Sequence, residues 1–363
     1  MSRTPSQAYA EGIARGEWED DPAQRAVLVE LDRLHAALAA PAESAGLLGR
    51  LFGGRNESTN IPGLYLWGGV GRGKTFLVDL FYDTLDIAEK RRTHFHRFMR
   101  EVHARIKAHA GERDPLATIA KEWRRDMRVL VLDEFFVSDI GDAMLLARVL
   151  ERLFAEGVVL VTTSNTPPAN LYKDGLQRAR FLPAIAMIER ECVVMEIASS
   201  TDYRLRELTR SPVYRVPADT SADAWLAERW QTLTHAASVP GEIDIDGRAI
   251  PTRAHCNGFA WFDFSGLCEG PRAASDYIEI ASEFHTVLLG GIPLFDGRND
   301  DPARRFVTAI DEFYDRHVNL VCTADASPVE LYCGERLAHA FERTASRLIE
   351  MQSAEYLARE HLT

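Results

Sequence analysis

The chain has 363 residues, of which 46% are hydrophobic and 26% charged, and it carries a formal net charge of -12 at pH 7. Its length exceeds the usual single-domain range of roughly 100–200 residues, so two packed units, or one unit with an insertion, are expected. No apolar run approaches the ~20 residues of a membrane span, the first residues lack the apolar block of a secretory signal, and the overall acidity opposes a phosphate backbone unless a local basic patch exists. Five widely spaced cysteines without a CxxC pair argue against a zinc site or disulfide framework and suit free thiols in a reducing cytoplasm.

Val27, Leu31, Leu34 and Leu38 recur at helical spacing within residues 22–52, which predicts a helix before the first strand. Asp21 and Pro22 suit its N-cap and first position. Gln24 either belongs to that helix start alone or presents its amide, donor and acceptor at once, to an adenine edge. IPGLYLWGG then reads as a short strand running into glycines, and TFLVDLFYDTL as a helix. Between them, Gly68-Gly69-Val70-Gly71-Arg72-Gly73-Lys74-Thr75 matches GxxxxGK[ST] at every fixed position. The glycines let backbone N–H groups curl around the phosphates of ATP, and the helix N-terminus adds positive potential. Lys74 reaches the β and γ oxygens, and Thr75 supplies a hydroxyl ligand to Mg²⁺. A glycine-rich turn with a surface lysine is the bland alternative, and it leaves both correct flanks unaccounted for.

THFHRFM reads as a strand and residues 98–110 as a helix. The run from Lys90 to Arg100, continued by His103, Arg105 and Lys107, mixes cations with aromatics. It suits nucleic-acid stacking, a grip on a protein segment, or a buried strand flanked by solvated charge. RVLVLDEF is an apolar strand ending in Asp133 and Glu134. Downstream of a P-loop, Asp133 should orient Mg²⁺ through its water shell and Glu134 should polarise the attacking water; alone, such acids also serve as helix caps.

GDAMLLARVLERLFAEG reads as a helix and VVLVTTSN as a strand ending at Asn165. That amide could bind the nucleophilic water or γ-phosphate, although Asn before Pro167-Pro168 is equally natural turn chemistry. Arg178 and Arg180, expected on the following helix, cannot share one helical face. One could reach a neighbouring subunit as an arginine finger, or both could be ordinary surface arginines. With ECVVMEI as a last strand, the pattern is α/β: a parallel sheet covered by helices on both faces.

Residues 211–258, punctuated by Pro and Gly around a helical stretch at 222–237, read as an α+β insertion. VVLVTTSNTPPANLY (158–172) is echoed by VNLVCTADASPVELY (318–332) at a constant offset of 160, each behind an amphipathic helix. Either the C-terminal part copies the first helix–strand unit in shape, or two generic pairs coincide. Pro293 and Leu294 fall where Asp133 and Glu134 stand, so a copy would lack the chemistry. The expected organisation is a helical segment 1–55, a P-loop ATPase core 56–210, the insertion 211–258, and a helix–strand extension 259–363 ending in a helix.

With these pieces in place, the chain resembles the ZapE family of AAA+ ATPases, bacterial cell-division proteins with mitochondrial relatives. The resemblance rests on GLYLWGGVGRGKTFLVDLFYD, THFHRFMREVH, VLVLDEFFVSDIGDAMLL, TTSNTPPANLYKDGLQRARFLPAI, DYRLREL, the segment ARRF...DEFYDR and FERTASRLIEMQSAEYL, and spans about residues 20–363. It implies ATP binding at Gly68–Thr75, a Walker B pair at Asp133 and Glu134, a sensor-like Asn165 and an arginine finger at Arg178 or Arg180 in an oligomer of like subunits. It also implies action at the FtsZ ring or on other division-ring proteins, in the cytoplasm, with peripheral membrane association open. A nucleic-acid-loading ATPase and a nucleotide-gated scaffold are the alternatives. The segment 211–258 matches no family motif, and Arg343, Arg347 and Arg204 compete as the sensor-2 arginine.

Overall fold

The computed structural model describes residues 3–40, 61–69, 71–137, 139–198, 203–245, 247–256 and 258–362. The end of the expected first helix (41–52), the expected boundary at 55/56 and Val70 lie outside them. The chain divides into two units, Met1–Thr201 and Asp202–Thr363.

In the first unit, α1 (Pro5–Arg15) opens with a capping box in which Thr4 and Gln7 hold each other's backbone amides, and it closes at Gly16. Helix α2 (Pro22–Ala39) is capped by Asp21. Next in the chain come β1 (Gly63–Trp67), α3 (Lys74–Thr84), β2 (Lys90–His94), α4 (Phe95–Ala108) and α5 (Pro115–Asp126). The unit ends with β3 (Val129–Asp133), α6 (Ile140–Ala155), β4 (Val159–Ser164), α7 (Leu182–Glu191) and β5 (Cys192–Glu196). All five strands are parallel, in the order β2-β3-β4-β1-β5.

Because successive strand residues point to opposite faces, the sheet feeds two cores. Tyr65, Leu130, Leu132 and Leu160 pack with Phe98, Trp123, Leu146 and Ile185 of α4–α7. Leu64, Leu66, Val129 and Val131 pack with Tyr9, Val27, Leu31, Leu77 and Phe81 of α1–α3. Each such buried side chain stabilises the fold by about 1.5–3 kcal/mol relative to exposure. The expected parallel sheet with helices on both faces is therefore borne out. Segment 93–99, expected as strand, is split instead. The strand stops at His94, and Phe95, Phe98, Met99 and Val102, spaced i, i+3, i+4, i+7, form the buried stripe of α4.

The second unit holds α8 (Tyr203–Thr209), β6 (Tyr214–Arg215), α9 (Thr220–Thr234), a hairpin of β7 (Gly241–Ile245) and β8 (Arg248–Thr252), β9 (Ala254–Cys256) and β10 (Phe259–Asp263). A π-helical turn leads to α10 (Ala274–Glu283), β11 (Thr286–Ile292), α11 (Asp300–Asp315), β12 (Asn319–Ala324), α12 (Ala338–Glu350) and α13 (Ala354–Leu357). The sheet order is β6-β12-β11-β10-β9, parallel except for β9. Strands β6 and β9 come from the segment expected as a separate insertion. At two and three residues they are too short to stand alone, and pairing with β12 and β10 orders them into the C-terminal sheet.

The internal echo is architectural. Helix α11 and strand β12 have bounds that exceed those of α6 and β4 by 160 at all four ends (140/300, 155/315, 159/319, 164/324). The order β10-β11-β12-β6 repeats β2-β3-β4-β1, and α9 follows β6 as α3 follows β1. The Glu134 amide donates to Thr163 Oγ1 at 3.1 Å, and the Gly291 amide to Thr323 Oγ1 at 3.0 Å. Both residues are left-handed, with φ 54° and 72°. Gly290-Gly291, rather than Pro293-Leu294, thus stand in the places of Asp133-Glu134. Strand β11 has seven residues against five in β3, and its register with β12 shifts between Leu289 and Ile292, which a constant offset ignores. Glycine adopts this backbone freely, whereas a glutamate there is strained. Among the described residues no helix is long and apolar enough to cross a membrane.

Candidate active site

Strands β1, β3 and β4 are parallel neighbours, so the residues at and just beyond their carboxyl ends collect at one sheet edge, the place where α/β folds bind ligands. Gly68 follows β1, Asp133 and Glu134 end β3, and Asn165 follows β4. The loop after β1 turns into α3 through Gly73, whose φ of 88° is left-handed. That backbone favours glycine, and a Cβ there would lie 2.6 Å from the side-chain nitrogen of Gln24, which would have to move aside. No side chain caps α3, which leaves its first amides open to an anion. The buried Arg72 Nη1 has no hydrogen-bond partner among the described residues. An open helix start beside an unpartnered guanidinium nitrogen fits a polyphosphate. Lys74 Nζ donates to the carbonyls of Gly68 (2.7 Å) and Gly69 (2.8 Å) and to Asn165 Oδ1 (2.9 Å). That last contact ties the P-loop to the end of β4.

Asp133 is buried, accepts from Arg92 Nε at 2.6 Å, and lies 3.4 Å from Thr163 Oγ1. Arg92 Nη1 reaches Asp79 Oδ1 on α3. Burial works against the guanidinium charge, but Asp133 and Asp79 outweigh it and hold its pKa above the ordinary value. Burial pushes the Asp79 carboxyl up, with Arg92 opposing. Glu134 Oε2 faces His94 Nδ1 at 3.8 Å, too far for a hydrogen bond, and burial keeps that imidazole neutral by lowering its pKa. Among the described residues, no group of three or more His, Cys, Asp or Glu could enclose a metal unaided. A cation at this edge must therefore draw ligands from elsewhere.

His96, next to this group, has its pKa pushed down to about 3, first by burial and then by the neighbouring His94, Arg100 and Arg97. Its Nε2 is buried without a hydrogen-bond partner among the described residues. The folded imidazole thus stays neutral while the unfolded one takes a proton below the usual value near 6.5. Stability is full above that pH and is lost as pH falls towards the folded value. Between pH 7 and pH 5 the loss through His96 is expected to be about 1–2 kcal/mol. Urea denaturation of the wild type and His96→Gln at both pH values checks this, and an equal pH slope in the two proteins would contradict it.

Gln24 is buried on α2 against Gly73. Arg178 and Arg180, expected on a helix, lie in a short 3₁₀ turn before α7 because Pro183 fixes the start of that helix. Arg178 Nη2 donates to the Ala169 carbonyl at 2.6 Å, whereas Arg180 is exposed. Much of the basic patch is engaged internally. Arg91 pairs with Glu101, Arg105 with Glu101 and Glu122, His103 contacts Asp142, and Lys90 donates to the carbonyls of Tyr82 and Leu85. Arg343 and Arg347 both hold Asp311, clamping α12 to α11, and the side chain of Arg204 lies outside the described residues. Sequence reasoning missed Asp79, Arg92 and Thr163. Only the spacing of Asp79, four residues after Thr75 on one helix, offered a signal.

A P-loop between β1 and α3, facing two acids at the end of β3 in a β2-β3-β4-β1-β5 sheet, defines a P-loop ATPase of the AAA+ type. The model of the AFG1-like ATPase family matches residues 3–360, and the chain belongs to that family. It is 43% identical over 372 residues to "Cell division protein ZapE" of Escherichia coli (strain K12), covering 100% of this chain and 99% of that protein. It is 35% identical to "Lactation elevated protein 1 homolog B" of Danio rerio, covering 81% of this chain and 68% of that protein.

Proposed function

We propose that this chain hydrolyses Mg-ATP at the Gly68–Thr75, Asp133, Glu134 and Asn165 edge and uses turnover to remodel a protein partner of the division machinery, at or near the FtsZ ring. The hydrolysis reading rests on one observation above the others, the 2.9 Å contact from Lys74 Nζ to Asn165 Oδ1, which brings P-loop and β4 together beside the paired acids. The division reading rests on full-length similarity to the E. coli protein. Lys74 neutralises β- and γ-phosphate oxygens, and the open amides of α3 cradle them. Glu134 accepts the proton of the attacking water, and Asn165 orients that water or the γ-phosphate. Mg²⁺, when bound, supplies the charge that stabilises the transferring phosphoryl group. The Thr75 hydroxyl and the Asp133 carboxylate would hold it, few protein ligands being the habit of this ion.

Gln24, beside Gly73, is the candidate for the adenine edge. Of the two arginines, the exposed Arg180 is better suited to reach a neighbouring copy in a homo-oligomer than Arg178, which is bonded within its own loop. The internal pairing of Arg91, Arg105, His103 and Lys90 weakens the nucleic-acid alternative. The test is co-sedimentation of Glu134→Gln with FtsZ polymers, with and without ATP. ATP-dependent pelleting is expected. Protein that binds ATP yet stays in the supernatant under both conditions would overturn direct action on the polymer.

A further inference from the structure

Arg92 lies in β2, beside the strand that ends at Asp133, and none of the roles above uses it. We infer that Arg92 is a positioning residue, a resident counter-charge on the metal-holding Asp133 and its neighbour Asp79 that makes metal capture depend on nucleotide. The inference rests on reading Thr75 and Asp133 as the metal-holding residues. Two carboxylates from different elements converge on this guanidinium: Asp133 of β3 at Nε, 2.6 Å away, and Asp79 of α3 at Nη1. Asp79 lies four residues beyond Thr75, so the hydroxyl and the second carboxylate share one helical face.

The side chains of Arg92 and Asp133 are 15% and 5% exposed, so solvent screens this trio little. With Arg92 between them, the two carboxylates present at most a net single negative charge, since burial works against full ionisation of Asp79. That is too little to draw a divalent cation out of its tightly held water. An arriving triphosphate supplies the missing charge and oxygen ligands, so metal enters with nucleotide. Arg92 Nη2 is buried and has no hydrogen-bond partner among the described residues, a donor left open for an acceptor that comes with the ligand. The planar fork matters, because a lysine would offer a point charge to one carboxylate at a time.

The test titrates the nucleotide-free full chain with Mn²⁺ alone and follows the free ion by electron paramagnetic resonance. Arg92→Gln is expected to bind Mn²⁺ at least about tenfold more tightly than wild type. Adding Asp79→Asn to it should return the affinity to the wild-type value, an effect that a merely structural arginine would not produce. Arg92→Lys should tighten binding only about threefold. Equal Mn²⁺ affinity in wild type and Arg92→Gln overturns the inference. If Arg92→Gln does not fold, as judged by circular dichroism, unchanged affinity in Arg92→Lys overturns it instead. The metal-site reading is tested apart from this: with a non-hydrolysable ATP analogue bound, Asp133→Asn should weaken Mn²⁺ binding about tenfold, and no weakening there refutes that reading whatever Arg92→Gln does.

Discussion

Glu134→Gln is expected to lower ATP turnover by roughly 10²- to 10³-fold while leaving ATP affinity within about threefold of wild type. The amide can still hydrogen-bond the attacking water, but it cannot accept its proton. The substitution should not disturb the backbone, because the hydrogen bond from residue 134 to Thr163 Oγ1 is made by the main-chain amide. Phosphate release and equilibrium ATP binding, measured on the same preparation, check both halves of the expectation. Turnover retained within threefold would remove Glu134 from the proton-accepting role. A nucleotide-gated scaffold would keep its partner engagement in Glu134→Gln and lose it in Lys74→Ala.

The wild-type chain should bind one nucleotide, and Lys74→Ala should weaken that binding by about 100-fold and abolish measurable turnover. In the first unit the start of α3 is uncapped, and Lys74 stands ready with a buried ammonium. In the second unit the equivalent start, that of α9, is closed by its own N-cap. Asp219 accepts from the amides of Ser221 and Ala222. Its hydrogen bond from the Ser221 hydroxyl, the largest cause, holds its carboxyl below the usual range, so it is an anion at neutral pH. A carboxylate on the helix start repels the phosphate that the start of α3 attracts. Glycines at 290 and 291 leave no acids at the end of β11. Calorimetric titration reads the stoichiometry directly. Two nucleotides per wild-type chain, or unchanged affinity in Lys74→Ala, would mean that the second unit binds nucleotide as well.

The sequence by itself determined the ATPase chemistry. The P-loop is contiguous and its signal is local: the glycines of the turn, Lys74 and the helix start all fall within eight residues. The apolar run into Asp133 and Glu134 was legible for the same reason, and the echo at 160 residues pointed to a copied helix–strand pair but not to the separate sheet it joins. Runs whose spacing fits two periods were not legible. Phe95, Phe98 and Met99 read as strand until the end of β2 at His94 made them one face of α4. Strands β6 and β9 are too short to announce themselves and exist only through their partners.

The tertiary structure alone decided what surrounds the chemistry. Nothing local in the basic run distinguishes Arg92, which enters the site, from Arg91, which pairs with Glu101, or Lys90, which reaches back to carbonyls of α3 and the residue after it. Which cation meets which carboxylate depends on strand order and on the alternation of side chains across a sheet, and both are set by packing between segments far apart in the chain.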